Sequence, residues 1–145
     1  MVQRMEISIA LKKIYEVYKN GDHTLGCVAR ADILYCIMKD NGFNPQIGCF
    51  FFKDDKGNKI PLTHYVVISD NMVYDANIEP DENPIDIDDY KDWIKREHPS
   101  WELVWENGEP LLDEEYIFNY LLRFDPEFQK EVKPLVEEEY KNLPL

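Results

Sequence analysis

The chain has 145 residues and a net charge of −13, with 44% hydrophobic and 13% aromatic residues. That length supports one sizeable core but not two independent ones, and so apolar a composition separates the chain from disordered polypeptides. The charge excludes nucleic acid as a natural partner, because phosphate binding needs clustered Lys and Arg, and excludes a basic patch for anionic membranes.

In chain order, Ile7, Ala10, Leu11, Ile14, Val17 and Tyr18 fall three and four apart, one apolar stripe of a first helix. Asn20-Gly21-Asp22 ends it. A second helix is expected from near Cys27, with Ala31, Leu34, Tyr35 and Met38 as a stripe and Ile33 and Ile37 beside it, so most of its circumference is apolar. Asn41-Gly42 stops it. Gln46 to Lys53 is a strand-length apolar run, and residues 54–58 are a turn sequence. Thr63 to Ser69 reads as a second strand, Asp70-Asn71 as a two-residue turn, and Met72 to Ala76 as a third strand. Residues 77–87 read as loop. Asp88 or Asp89 is expected to cap a helix through Glu97 that buries Tyr90, Trp93 and Ile94. The alternation of Trp101, Leu103 and Trp105 suits an edge strand, after which Asn107-Gly108 turns the chain. Asp113 caps a further helix, Pro126 opens the last one, and Pro134 is expected to interrupt it. Helix, helix, sheet, then helices make an α+β domain spanning 1–145.

The charge is unevenly placed. Residues 1–74 carry nine basic and eight acidic side chains, whereas residues 75–145 carry seven and twenty-one. The second half is read as a solvated face, its functional alternative being an acidic surface that docks a basic protein partner. The acidic run from Asp81 to Asp89 lacks the Gly and final Glu of a calcium loop. Three cysteines, an odd number, and no secretory or membrane-length apolar segment point away from a disulfide framework and towards a reducing cytoplasm.

The near-neutral half holds the reactive groups. Cys27 is expected at a helix N-terminus, where unpaired N–H groups and the helix dipole stabilise a thiolate and can hold an oxyanion. His64 opens the second strand, a rigid place for a base that takes the thiol proton and later protonates a leaving amine. The hairpin register pairs Ser69 with Met72 and places Val66 opposite Asp75, so His64 is a diagonal neighbour of Asp75. A carboxylate there fixes the imidazole tautomer and stabilises its cation. Cys36, nine residues after Cys27 and so on the opposite helix face, and Cys49, inside a strand, read as core. A zinc site from His23, Cys27, Cys36 and Cys49 lacks paired close spacings.

With Gly26-Cys27, Ala29, Ala31, Asn41-Gly42-Phe43, Gly48, His64 and Val73-Tyr74-Asp75 in place, the stretch from Gly26 to Pro80 resembles the core of the transglutaminase-like superfamily of cysteine enzymes, which share a papain-like Cys-His-Asp arrangement. The resemblance covers about 55 residues. It implies an antiparallel sheet packed against a central Cys-bearing helix within residues 1–105, followed by an acidic helical extension over 106–145. It also implies Cys27 as nucleophile, His64 as general base and Asp75 as orienter in hydrolase, deamidase or acyl-transfer chemistry on a peptide or small amide or acyl substrate, with no cofactor. Thr63-His64-Tyr65-Val66-Val67 is also similar to the His strand of bacteriocin-processing, papain-like peptidases. No Gln stands shortly before Cys27 as a side-chain oxyanion donor, Gln3 being distant, which leaves His23 and Thr24 open for that role. The alternative function is an inactive module of the same fold that binds through its acidic face.

Overall fold

The computed structural model describes residues 5–21 and 26–141. Helix α1 spans Ile7–Lys19 and buries Ala10, Leu11 and Ile14. Gly21, with φ +107°, takes the left-handed conformation that releases the chain. Helix α2 spans Gly26–Asp40 and is buried from Val28 to Met38 on all sides. A helix buried around its whole circumference has no solvent face to offer and becomes the centre of the fold, with the charged side chains of Arg30 and Asp32 buried in it. Its end is held by Asn41, whose Nδ2 donates to the carbonyls of Ile37 and Met5 at 2.8 and 2.9 Å.

The strands are β1 (Gln46–Lys53), β2 (Lys59–Ser69), β3 (Met72–Tyr74), β4 (Ile85–Asp86) and β5 (Glu102–Gly108), in the antiparallel order β4-β3-β2-β1-β5. Helix α3 spans Ile87–Glu97, α4 Glu114–Leu121 and α5 Pro126–Lys141. One face of the sheet meets α1, α2, α4 and α5 in a single cluster that includes Ile14, Leu34, Ile37, Val67, Ile117 and Phe128. The other face meets α3 through Phe50, Phe52, Val66, Ile68, Val73, Tyr90 and Ile94. The expected α+β architecture, an antiparallel sheet against the Cys-bearing helix with further C-terminal helices, is the one present. Among the described residues no helix is long and apolar enough to cross a membrane.

Several local expectations are corrected. Strand β2 begins at Lys59, four residues early, because its first part still pairs with β1 past an irregularity at Phe51–Lys53. Residues 107 and 108 do not turn the chain but extend β5, opposite Gly48 and Ile47. Helix α3 is capped by Asp86, whose carboxylate accepts from the N–H groups of Asp88 and Asp89. Trp93 is exposed rather than buried. The expected loop over 77–87 contains a turn of 3-10 helix at Pro80–Glu82 and the two residues of β4.

Helix α5 continues through Pro134. A proline in a helix interior costs about 3 kcal/mol. Phe128, Val132, Val136 and Tyr140 recur every four residues and are buried on one face, each contributing about 1.5–3 kcal/mol. The buried face outweighs the break, and Pro134 sits on the exposed side.

Strand β3 stops at Tyr74, two residues before the expected Ala76. The β3–β4 register would next set Asp75 against Asn83, but here the side chain of Asn83 does the pairing. Its Oδ1 accepts from the Asp75 N–H at 2.8 Å and its Nδ2 donates to the Asp75 carbonyl at 3.0 Å. The ladder ends in a carboxamide, and the chain turns away from β2 at the residue that carries the carboxylate.

Candidate active site

Cys27 is the second residue of α2, half-buried. Its N–H lies in the first turn, where no intrahelical acceptor exists. Strand β3 leaves the edge of β2 before Val67 uncovered. Asp70 and Asn71, with φ of 51° and 63°, form the tight turn, so Ser69 and Met72 are a hydrogen-bonded pair. Alternation along an antiparallel ladder then points the N–H groups of Val67 and Tyr65 to that same side. Val67 pairs with Tyr74. The N–H of Tyr65, past the end of β3, has no strand partner there, and it is one of the groups that lower the Cys27 thiol.

His64 precedes Tyr65 and points to the opposite sheet face, its ring edge-on to Phe50 at 5.5 Å between centroids. Nε2 of His64 lies 2.9 Å from Oδ1 of Asp75. The Cys27 thiol is among the groups that raise the imidazole, and with Nε2 committed to Asp75 the nitrogen left to face a thiol is Nδ1. The structure therefore brings the three sequence-selected residues into one chain: Cys27, His64, Asp75.

Asp75 is 3% exposed, and its oxygens are provided for. Oδ1 also accepts from the N–H of Asn77 at 2.8 Å, and Oδ2 accepts from the Tyr90 hydroxyl at 2.6 Å. Burial pushes the Asp75 carboxyl up, but the charge and hydrogen bond of His64 and the donors Tyr90 and Asn77 bring it below its ordinary value. Burial disfavours the imidazolium, yet the Asp75 charge, its hydrogen bond and the Cys27 thiol together hold His64 well above its ordinary value. For Cys27, burial raises the thiol, while the His64 hydrogen bond and charge, the Arg30 charge and the Tyr65 N–H lower it by more. All three directions favour the same state, a thiolate beside an imidazolium beside a carboxylate.

Arg30, one turn beyond Cys27, is fully buried. Its Nη2 donates to Asn77 Oδ1 at 2.9 Å and its Nη1 to the Tyr120 hydroxyl at 3.3 Å, with the guanidinium over the Tyr18 ring. Sequence reasoning did not select Arg30, Asn77, Asn83 or the hydroxyl of Tyr90. Tyr90 was read as core, which it is, but no pattern announced that its hydroxyl meets a carboxylate fifteen residues earlier.

Cys36 is buried, and burial pushes its thiol up. Cys49 is half-buried on β1 opposite Tyr65, not in the core. Burial raises its thiol against a hydrogen bond with the Tyr65 side chain. His23 and Thr24, the open choices for a side-chain oxyanion donor, lie outside the described residues. Trp101 and Trp105 cover the outer sheet face, with Trp105 stacked on Phe50 at 5.6 Å. No family model, curated protein or solved structure matches the chain.

Proposed function

We propose that the protein is a cysteine-dependent enzyme acting on an amide or acyl bond, with Cys27 as nucleophile, His64 as proton carrier and Asp75 as orienter. The observation that carries this reading is the placement of His64 between the Cys27 thiol and Asp75 Oδ1. In this mechanism Nδ1 of His64 takes the thiol proton, and the sulfur bonds to the substrate carbonyl carbon. The carbonyl electron pair moves onto oxygen, which the N–H of Cys27 at the helix start stabilises. As the pair returns, the bond to nitrogen breaks and the imidazolium gives its proton to the departing amine. The thioester is then opened by water, giving hydrolysis or deamidation, or by a second amine, giving acyl transfer. His64 deprotonates the incoming nucleophile in either case. Asp75 holds the tautomer with Nε2 protonated, so that Nδ1 is free to accept.

This reading belongs with the transglutaminase-like resemblance and draws its support from the side chains. The test is acylation by a nitrophenyl ester. A burst of one nitrophenol per chain, with the acyl group mapped to Cys27 and absent in Cys27→Ser and His64→Ala, is the expected result. Acylation spread over Cys49 or lysines, unaffected by His64→Ala, would contradict it.

A further inference from the structure

Resting on the cysteine-enzyme reading, we infer that Tyr90 is a positioning residue for the reaction: its hydroxyl sets the plane of the Asp75 carboxylate and thereby, through His64, the reactivity of Cys27. Tyr90 is completely buried. Among the described residues its hydroxyl is the donor to Oδ2 of Asp75, at 2.6 Å, while Oδ1 serves His64 and the N–H of Asn77. The terminal torsion of an aspartate is broad and soft. With donors on Oδ1 alone, the carboxylate is free to rotate, and a buried Oδ2 without a donor favours the protonated acid. Either change weakens the hold on the imidazolium and, through it, on the thiolate.

The frame around Tyr90 is built to keep that hydroxyl still. Its ring meets Phe50 edge-on at 6.0 Å and Trp105 at 6.1 Å, and Phe50 in turn meets His64. Helix α3, which carries Tyr90, is anchored at its first turn by the Asp86 cap. Asp86 lies in β4, which pairs with β3 immediately before Asp75. Tyr90 therefore reads the position of α3 and reports it to the carboxylate, whereas its aromatic ring is ordinary core. The two roles separate chemically, because phenylalanine keeps the ring and loses only the hydroxyl.

The experiment is the pH profile of Cys27 alkylation by iodoacetamide, site-resolved by peptide mapping, in the wild type, Tyr90→Phe and Trp93→Ala. The full chain is used throughout. Tyr90→Phe is expected to move the inflection up by about one pH unit, a tenfold loss of rate near neutral pH. It should leave the plateau rate at high pH unchanged, because a thiolate formed by hydroxide needs no His64. Trp93→Ala removes an edge-on ring contact of Tyr90 at 5.8 Å but leaves its hydroxyl in place, and should move the profile much less than Tyr90→Phe, which a general loosening of α3 would not. In an Asp75→Asn background the Tyr90→Phe step should disappear, since the hydroxyl acts through the carboxylate. A low inflection in the wild type that Tyr90→Phe does not move overturns the role of Tyr90 alone. An ordinary thiol inflection in the wild type overturns the enzyme reading and this inference with it.

Discussion

Arg30 Nη2 donates to Asn77 Oδ1 at 2.9 Å, and through that bond the helix of the nucleophile grips the loop of the orienter. Asn77 passes the contact on, its own N–H donating to Asp75 Oδ1. Arg30 thus has two effects, one mechanical and one electrostatic, since its charge also lowers the Cys27 thiol. Arg30→Gln should cost about 2–4 kcal/mol of stability in urea unfolding, because the Tyr120 hydroxyl and Asn77 lose a buried charged partner. It should also move the Cys27 alkylation inflection upward. A variant with both quantities unchanged would remove Arg30 from the account.

Asp32 supplies a pH signature that does not involve the site. It is buried on α2, and its Oδ2 accepts from the Leu112 N–H at 3.1 Å and the Tyr140 hydroxyl at 2.9 Å, tying α5 and the segment before α4 to the central helix. Among the described residues Oδ1 has no hydrogen-bond partner. Burial pushes the carboxyl up to about 6, against the opposing pull of the Leu112 N–H, the Tyr140 hydroxyl and the Leu111 N–H. A folded-state value above the unfolded one means the folded chain binds the proton more tightly. Stability is then gained as pH falls from 7 through 6 towards 4 and lost as pH rises again, by about 3 kcal/mol for the full shift. Asp75, shifted downward, loses its contribution only at more acid pH, and His64 contributes equally to both chains. Urea unfolding at pH 7.5 and pH 5 should show the wild type gaining on Asp32→Asn at the lower pH. A gap that stays constant would contradict the assignment.

Pro134 should be a stability cost that the fold tolerates. It sits on the exposed side of α5, inside the helix. Pro134→Ala restores one backbone donor and relieves the clash with the preceding turn, a gain of about 1–3 kcal/mol. Thermal melting followed by circular dichroism should show a rise in Tm. A fall would mean that α5 needs its proline.

The parts legible in the sequence were those set by local chemistry. The Asp70-Asn71 turn fixed the hairpin register as far as Val67 and Tyr74; the expected Val66–Asp75 pair does not form, because Asn83 holds the Asp75 backbone, and His64 meets Asp75 past the end of the ladder. Gly21 and Gly42 ended their helices with φ of +107° and +85°. What escaped was set by distant partners. The early end of β3 depends on Asn83, eight residues on, using a side chain where a backbone was expected. The Asp86 cap lay hidden in a run of acids any of which suits the role. Pro134 was read as a helix break because the local penalty is visible in sequence, while the packing that outweighs it is not. The polar roles of Tyr90, Arg30 and Asn77 carry no periodic signal, since each is made by the polar end of the side chain with a partner distant in sequence or in another element.

The most direct test of the central claim is the pH dependence of Cys27 alkylation in the wild type and in His64→Ala. Cys27 is distinguished from Cys36 and Cys49 by peptide mapping. The account predicts an inflection below the ordinary thiol value of about 8.5 in the wild type, and an upward move of at least about one unit once the imidazole is gone. A wild-type inflection at or above the ordinary value, or one that His64→Ala leaves in place, would contradict it.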